Sequence, residues 1–351
     1  MESVLANLER CRAGLDTGFG WVARALDDPA VTAVLQGRSI LTVPSYEERS
    51  FLSLERVSAL VGHPAACTML HFPDYSEPPR SLFLDPDEET ARAYRDHRAR
   101  MCRFLEKAGV PLREVSSGLK APSAGVGQLE LPAGSIVDIS CFPRSHLLQL
   151  LRLPWVRQCP LVYSRVGYYE QDESNFAVGV EDLACVEGYE GEVRNRPTIL
   201  CLALGFEGCR AMAVFRKYDP YRTLAFVVNT DDPDVAAVAR RNNYQLLANA
   251  TVEEHAVEGL DPHGFAVGMC EALRSFLVRE KARRHDFDLV ASFLGPKPQV
   301  LGARLMVDAG LPVHVVYAVP TKRRICSHGI GETCVMIPHQ GWAPSGATMA
   351  S

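Results

Sequence analysis

Short apolar runs alternate with helical patterns along this whole chain, and that alternation limits its fold more than any other feature. In the first half the runs are SILTV (39–43), ACTMLHF (66–72), SIVDISCF (135–142) and PLVYSRV (160–166), with helical stretches at 87–109 and 143–153. In the second half they are TILCLALGF (198–206), TLAFVVN (223–229), FDLVASFL (287–294) and PVHVVYAVP (312–320). Helical stretches there cover 208–218, 232–243 and 264–284, and another opens at Lys297. Strand and helix in alternation predict an α/β fold with a mainly parallel sheet. Residues up to about Gln36 read as a leading helical segment.

The two halves share a plan. Each opens with an apolar strand, then a small residue, an aromatic, a glutamate and an arginine at a helix start: Ser45-Tyr46-Glu47 with Arg49, and Gly205-Phe206-Glu207 with Arg210. Each closes with a strand and a proline-started helix carrying a cation in its first turn, Arg144 or Lys297. Proline suits that turn because its missing N–H would be unpaired there anyway. The expectation is two tandem Rossmann-like units, 1–187 with an N-terminal helix and an insertion at 167–187, and 188–351 with a C-terminal tail. The boundary falls in the polar stretch GYEGEVRNRPT (188–198), and 117–134 reads as a Gly/Pro/Ser-rich surface loop.

The 351 residues are 47% hydrophobic and 23% charged, the balance of a globular protein. A net charge of −5 argues against a broad footprint for duplex nucleic acid. The charged N-terminus lacks the apolar core of a signal peptide. No run of about 18 apolar residues occurs, so no membrane span and a cytoplasmic location are expected. Most of the 11 cysteines read as inert core thiols, among them Cys67, Cys141 and Cys201 inside apolar runs.

In open α/β sheets ligands sit beyond the carboxyl ends of the strands, where helix N-termini suit phosphate. The predicted strand ends carry Ser45, Tyr46, Glu47 and Arg49; Asp138, Ser140 and Arg144; Gly205, Phe206, Glu207 and Arg210; and Ser292, Gly295 and Lys297. Pooled into one cleft, Lys297 and Arg144 would supply positive charge, and Tyr46 or Phe206 would stack on a base. Each residue also has a plainer reading as a helix cap or a local Glu–Arg pair. No G-x-G-x-x-G follows a strand, and neither G-x-x-x-x-G-K-[ST] nor G-x-S-x-G occurs. Dinucleotide, P-loop and α/β-hydrolase sites are disfavoured on that ground. The tail CSHGIGETCVMIPH holds Cys326, His328, Cys334 and His339, whose spacing matches no usual zinc knuckle. Gly329 and Gly331 there suggest a tight turn. No cofactor and no metal are expected.

The stretch LGPKPQVLGARLMV resembles the glycine–threonine–lysine–proline segment of CARF domains, the Rossmann-like sensors of cyclic oligoadenylates in CRISPR systems. A tandem of two such units resembles the related SAVED domains of anti-phage signalling. The sequence departs at Pro296, where threonine is common, and at Leu294, where glycine is usual. The resemblance implies ligand contacts from Gly295, Lys297 and Gln299, and the shared plan extends them to Ser45, Tyr46 and Arg144. The resulting expectation is a module that senses a nucleotide-type, phosphate-bearing small molecule and passes its output to a protein partner. Two alternatives stand beside it: a nucleotide-processing enzyme with Glu47, Glu207 and Asp138 as acid–base residues, and a scaffold that binds only protein.

Overall fold

A computed structural model describes Leu8, Leu15 and residues 20–76, 88–170, 179–191, 193–229, 233–281, 287–311, 313–321 and 324–338. The chain forms two compact units. The first comprises Trp21–Glu170 and Arg324–Ser351; the second comprises Met1–Gly20 and Gln171–Arg323.

The first unit holds strands β1 (Trp21–Ala25), β2 (Ile40–Thr42), β3 (Cys67–His71), β4 (Leu112–Ser116), β5 (Ile136–Asp138), β6 (Leu161–Ser164) and β7 (Tyr168–Tyr169). After the second unit the chain returns as β14 (Ser327–His328) and β15 (Thr333–Pro338). Its helices are α1 (Pro29–Leu35), α2 (Arg49–Val61), α3 (Glu88–Lys107), α4 (Pro122–Val126) and α5 (Arg144–Leu150). Helix α1 starts where Asp28 accepts Ala30 N–H at 2.9 Å, with Pro29 fixing the first turn. The core is formed where Leu54, Val57 and Val61 of α2 and Met101 and Leu105 of α3 meet Ile40 and Met69 of the sheet. Burying each such side chain contributes about 1.5–3 kcal/mol.

The second unit holds β8 (Asp182–Cys185), β9 (Thr198–Ala203), β10 (Arg222–Asn229), β11 (Val252–Glu258), β12 (Asp288–Phe293) and β13 (His314–Val319). Its helices are α6 (Gly208–Tyr218), α7 (Pro233–Asn242), α8 (Tyr244–Leu247), α9 (Pro262–Arg279) and α10 (Lys297–Asp308). Leu200, Leu202, Ala225, Val227 and Val290 of the strands bury against Ala211 and Val214 of α6 and Leu246 of α8. Helices α9 and α10 pack closely at Gly302, where a Cβ would lie 2.6 Å from Phe265 Cδ1 and 2.7 Å from Pro262 O.

The two sheets repeat one strand order. In the first unit it is β1-β15-β6-β5-β2-β3-β4, and in the second β11-β10-β9-β12-β13-β8. Numbered within each unit, the parallel strands run 3-2-1-4-5, and an antiparallel strand follows the fifth. The order reverses between strands 1 and 4: β2/β5 in one unit, β9/β12 in the other. Both units are therefore Rossmann-like, and each has a switch point where ligands bind in folds of this class.

Three expectations change. The leading segment to Gln36 is not all helix, because Trp21–Ala25 pairs antiparallel with β15 and buries Trp21. The chain crosses between units at 20/21, 170/171 and 323/324 rather than once near 188. The 167–187 stretch accordingly divides: β7 pairs with β14 in the first unit, and β8 closes the sheet of the second beside β13. Third, the tail is not only a turn, because Thr333–Pro338 is a full strand between β1 and β6.

Candidate functional site

At the switch point of the second unit, the loops after β9 and β12 touch through glycines. A Cβ on Gly205 would collide with the carbonyl oxygen of Leu294, and one on Gly295 with the Gln299 carboxamide oxygen. The carbonyls of Gly205 and Phe206 accept from Asn243 Nδ2 at 2.8 Å and Asn242 Nδ2 at 2.9 Å, which ties the loop to the end of α7. Helix α10 then begins with Pro296 at its N-cap, Lys297 and Pro298. Lys297 is half-buried, and Gln299 is fully buried. Pro298 has no N–H, and Gln299 N–H bonds Pro296 O at 3.1 Å, so the helix start offers few backbone donors and Lys297 carries its positive charge. Both carboxamide atoms of Gln299 and the Ser292 hydroxyl are buried without hydrogen-bond partners. An unpaired buried amide costs about 1–3 kcal/mol.

At the switch point of the first unit, Asp138, Ser140, Ser164 and Ser53 bond one another, while Thr42 Oγ1 is buried without a partner. Asp138 Oδ1 accepts Ser140 N–H at 2.9 Å; Ser140 Oγ accepts Ser164 N–H at 2.8 Å. Ser164 Oγ reaches Ser53 Oγ and Thr333 Oγ1, each at 2.9 Å. Burial pushes the Asp138 carboxyl above the usual carboxylate range, against the pull of the Ser140 and Ser53 bonds and the Arg49 charge. Ser45 Oγ accepts Glu47 N–H at 3.2 Å, while Ser45 O bonds His97 Nδ1 at 3.0 Å. Tyr46 is half-buried, edge-on to Tyr75 at 5.5 Å. Arg144 is half-buried at the start of α5, a helix of seven residues.

A buried arginine performs the same task in both units. Arg49 donates to Ser164 O, at the end of the fifth strand, at 3.1 Å, and to Glu47 Oε2. Arg210 donates to Ala318 O, also at the end of the fifth strand, at 2.9 and 2.6 Å, and to Glu207 Oε2. Each guanidinium ties the loop after strand 1 to strand 5, passing the end of strand 4. Arg49 Nε is buried without a partner. Glu47 and Glu207 thus serve as counter-ions to these arginines.

Among the described residues the tail candidates Cys326, His328 and Cys334 form no ligand group. Cys334 is buried with its thiol on Tyr163 O at 3.6 Å. His328 bonds Glu170 Oε1 at 2.9 Å and stacks under the exposed ring of Tyr168, while the Cys326 carbonyl accepts Glu170 N–H. His339 lies outside the described residues. Among the described residues no group of three His, Cys, Asp or Glu side chains could hold a metal ion. Gly329 makes the expected turn with φ +64°. Burial pushes the Cys67 thiol up to about 12 and raises Cys201 as well.

Residue patterns missed Asn242, Asn243, His97 and His146. Only the Asn-Asn pair at the end of a helical stretch gave a local signal; the histidine contacts are made across the fold. Phe72 packs edge-on to His146 at 4.7 Å, and His146 Nε2 meets Ser117 Oγ at 3.2 Å and Gly118 O at 3.1 Å.

No family model and no curated protein matches this chain. Among solved structures it is similar to a Type III CRISPR defence DNA nuclease activated by cyclic oligoadenylate, at 10% identity and a TM-score of 0.47. The similarity covers 77% of this chain and 64% of the nuclease. Strand order and pairing, independently of that likeness, make both units Rossmann-like. Among the described residues no helix is long and apolar enough to cross a membrane.

Proposed function

We propose that this chain is a ligand-sensing module that binds a nucleotide-type, phosphate-bearing small molecule at the carboxyl ends of its strands. The observation that carries the reading is the start of α10, where half-buried Lys297 heads a twelve-residue helix at the switch point beside two touching glycine loops. The glycines bring the two loops together at the switch point, and the lysine supplies charge for phosphate there. The resemblance of 294–307 to the CARF segment supports a role in anti-phage nucleotide signalling, with the output carried by a protein partner. Binding is favoured over turnover because Glu47 and Glu207 are each engaged by a buried arginine and Asp138 lies inside a closed hydroxyl chain.

Isothermal calorimetry against cyclic and linear oligonucleotides tests this reading. The expected result is saturable binding without cleavage, weakened at least tenfold in Lys297→Ala with an unchanged melting midpoint. Absence of binding across the panel, or equal affinity in the variant, would overturn it.

A further inference from the structure

The two switch points are built on one plan and finished differently. Strand register aligns them: Leu41 pairs with Val137 in the first unit as Cys201 pairs with Ala291 in the second. One residue further on, Asp138 occupies the place of Ser292. Counting from each helix start, Arg144 corresponds to Lys297 and His146 to Gln299, the third residue of α5 and of α10. His146 and Gln299 are both 0% exposed.

Their bonding separates them. In the first unit His146 Nε2 is held by Ser117 and Gly118, from the segment after the third strand, and Asp138 is held by Ser140 N–H. The hydroxyls of Ser140, Ser53, Ser164 and Thr333 complete the chain. In the second unit the equivalent Gln299 amide has neither donor nor acceptor satisfied, and Ser292 Oγ is likewise unpaired. The Gln299 carboxamide oxygen lies against Gly295, in the loop that leads into Lys297. Buried polar groups are paired in the great majority of cases, so these three atoms are open to a partner from outside the chain. In the first unit Thr42 Oγ1 and Arg49 Nε are also unpaired, but the residues at the places of Gln299 and Ser292 are bonded.

We infer that the two units are not equivalent binding halves: the second carries the receptive site, and in the first the matching positions, His146 and Asp138, are already held by their own chain. This rests on the function proposed above and assigns its ligand to one unit. Lys297 meets the anionic part of the ligand. Gln299 and Ser292 meet a neighbouring part that both donates and accepts hydrogen bonds, as a nucleobase edge does. Because Gln299 lies beneath the glycine loops, the Gly205 and Gly295 segments part as the ligand enters.

Matched variants of the full chain test this. The probes are cyclic di-, tri- and tetranucleotides of adenosine and guanosine, with inorganic phosphate as the base-free control, read by calorimetry and thermal melting. Gln299→Met keeps the side-chain length and removes the amide. It is expected to hold or raise the melting midpoint and to weaken cyclic-nucleotide binding at least tenfold. Ser292→Ala is expected to weaken binding severalfold, and His146→Gln to lower the midpoint while affinity stays within twofold. The stoichiometry is expected to be one nucleotide per chain. If wild type binds a probe and Gln299→Met binds it equally well, the assignment fails while the sensing function stands. It also fails if His146→Gln loses as much affinity as Gln299→Met, or if Gln299→Met unfolds at markedly lower temperature, which would reveal a structural partner for the amide. If no probe binds wild type, the sensing function itself falls.

Discussion

Arg210 spends its guanidinium on a strand-end carbonyl and a carboxylate, with its face over the Tyr317 ring at 5.0 Å. Removing one member of a buried, hydrogen-bonded charge pair costs about 3–5 kcal/mol. Arg210→Ala is expected to lower stability by that order in urea unfolding, and Arg210→Lys to recover only part, since an ammonium lacks the planar fork. Asp138 behaves in the opposite sense. Its carboxyl is raised by burial, so folding favours the protonated form between the ordinary carboxylate range and the raised value. Within that window the native state binds more protons than the unfolded one, and its contribution to stability falls as pH rises. Asp138→Asn is expected to flatten this slope and to leave stability at neutral pH equal or higher, as read from denaturant midpoints across pH. The sites most open to reading from sequence were those with a local pattern. Lys297 between two prolines and the paired Glu–Arg motifs stood out, whereas His146 on Ser117 depends on a contact 29 residues away.

Helices α9 and α10 meet at a glycine because backbone occupies the space a side chain would need. Gly302→Ala would press a methyl onto Pro262 O, which cannot rotate aside, and overpacking of this kind costs about 1–3 kcal/mol. Circular dichroism melts should register the loss without any change in helix content at low temperature. Elements differed in how plainly the chain announced them. The inner strands β2, β5, β9 and β12 are mostly apolar because both faces are covered, and such runs are visible in sequence although Asp138, Asp288 and Ser292 interrupt them. Strand β11 reads VEEHAVE and lies at a sheet edge, with one long side open and polar residues tolerated. Strand β1 escaped notice for a different reason. Its pairing partner, β15, lies some three hundred residues further along the chain, so no local pattern announces the match.

Sequence halves and folded units do not coincide, because strand pairing, not chain order, decides membership. The apparent boundary in 188–198 marks a change of composition, while β8 before it and β15 after it each complete the other half's neighbourhood. Deletion of Arg324–Ser351 therefore strips β15 from between β1 and β6 of the first unit. The expected outcome is loss of protease resistance across 21–170 with 179–321 still protected; uniform protection would contradict the assignment of the tail. Interlacing also has a consequence for biosynthesis. Strand β6 leaves the ribosome with one edge unpaired, and its neighbour β15 follows only after everything from Arg165 to Glu332 has been translated. At about 5–20 residues per second that interval is roughly ten to thirty seconds. For that time the nascent first unit presents an open strand edge, and it is during those seconds that a chaperone has most to protect.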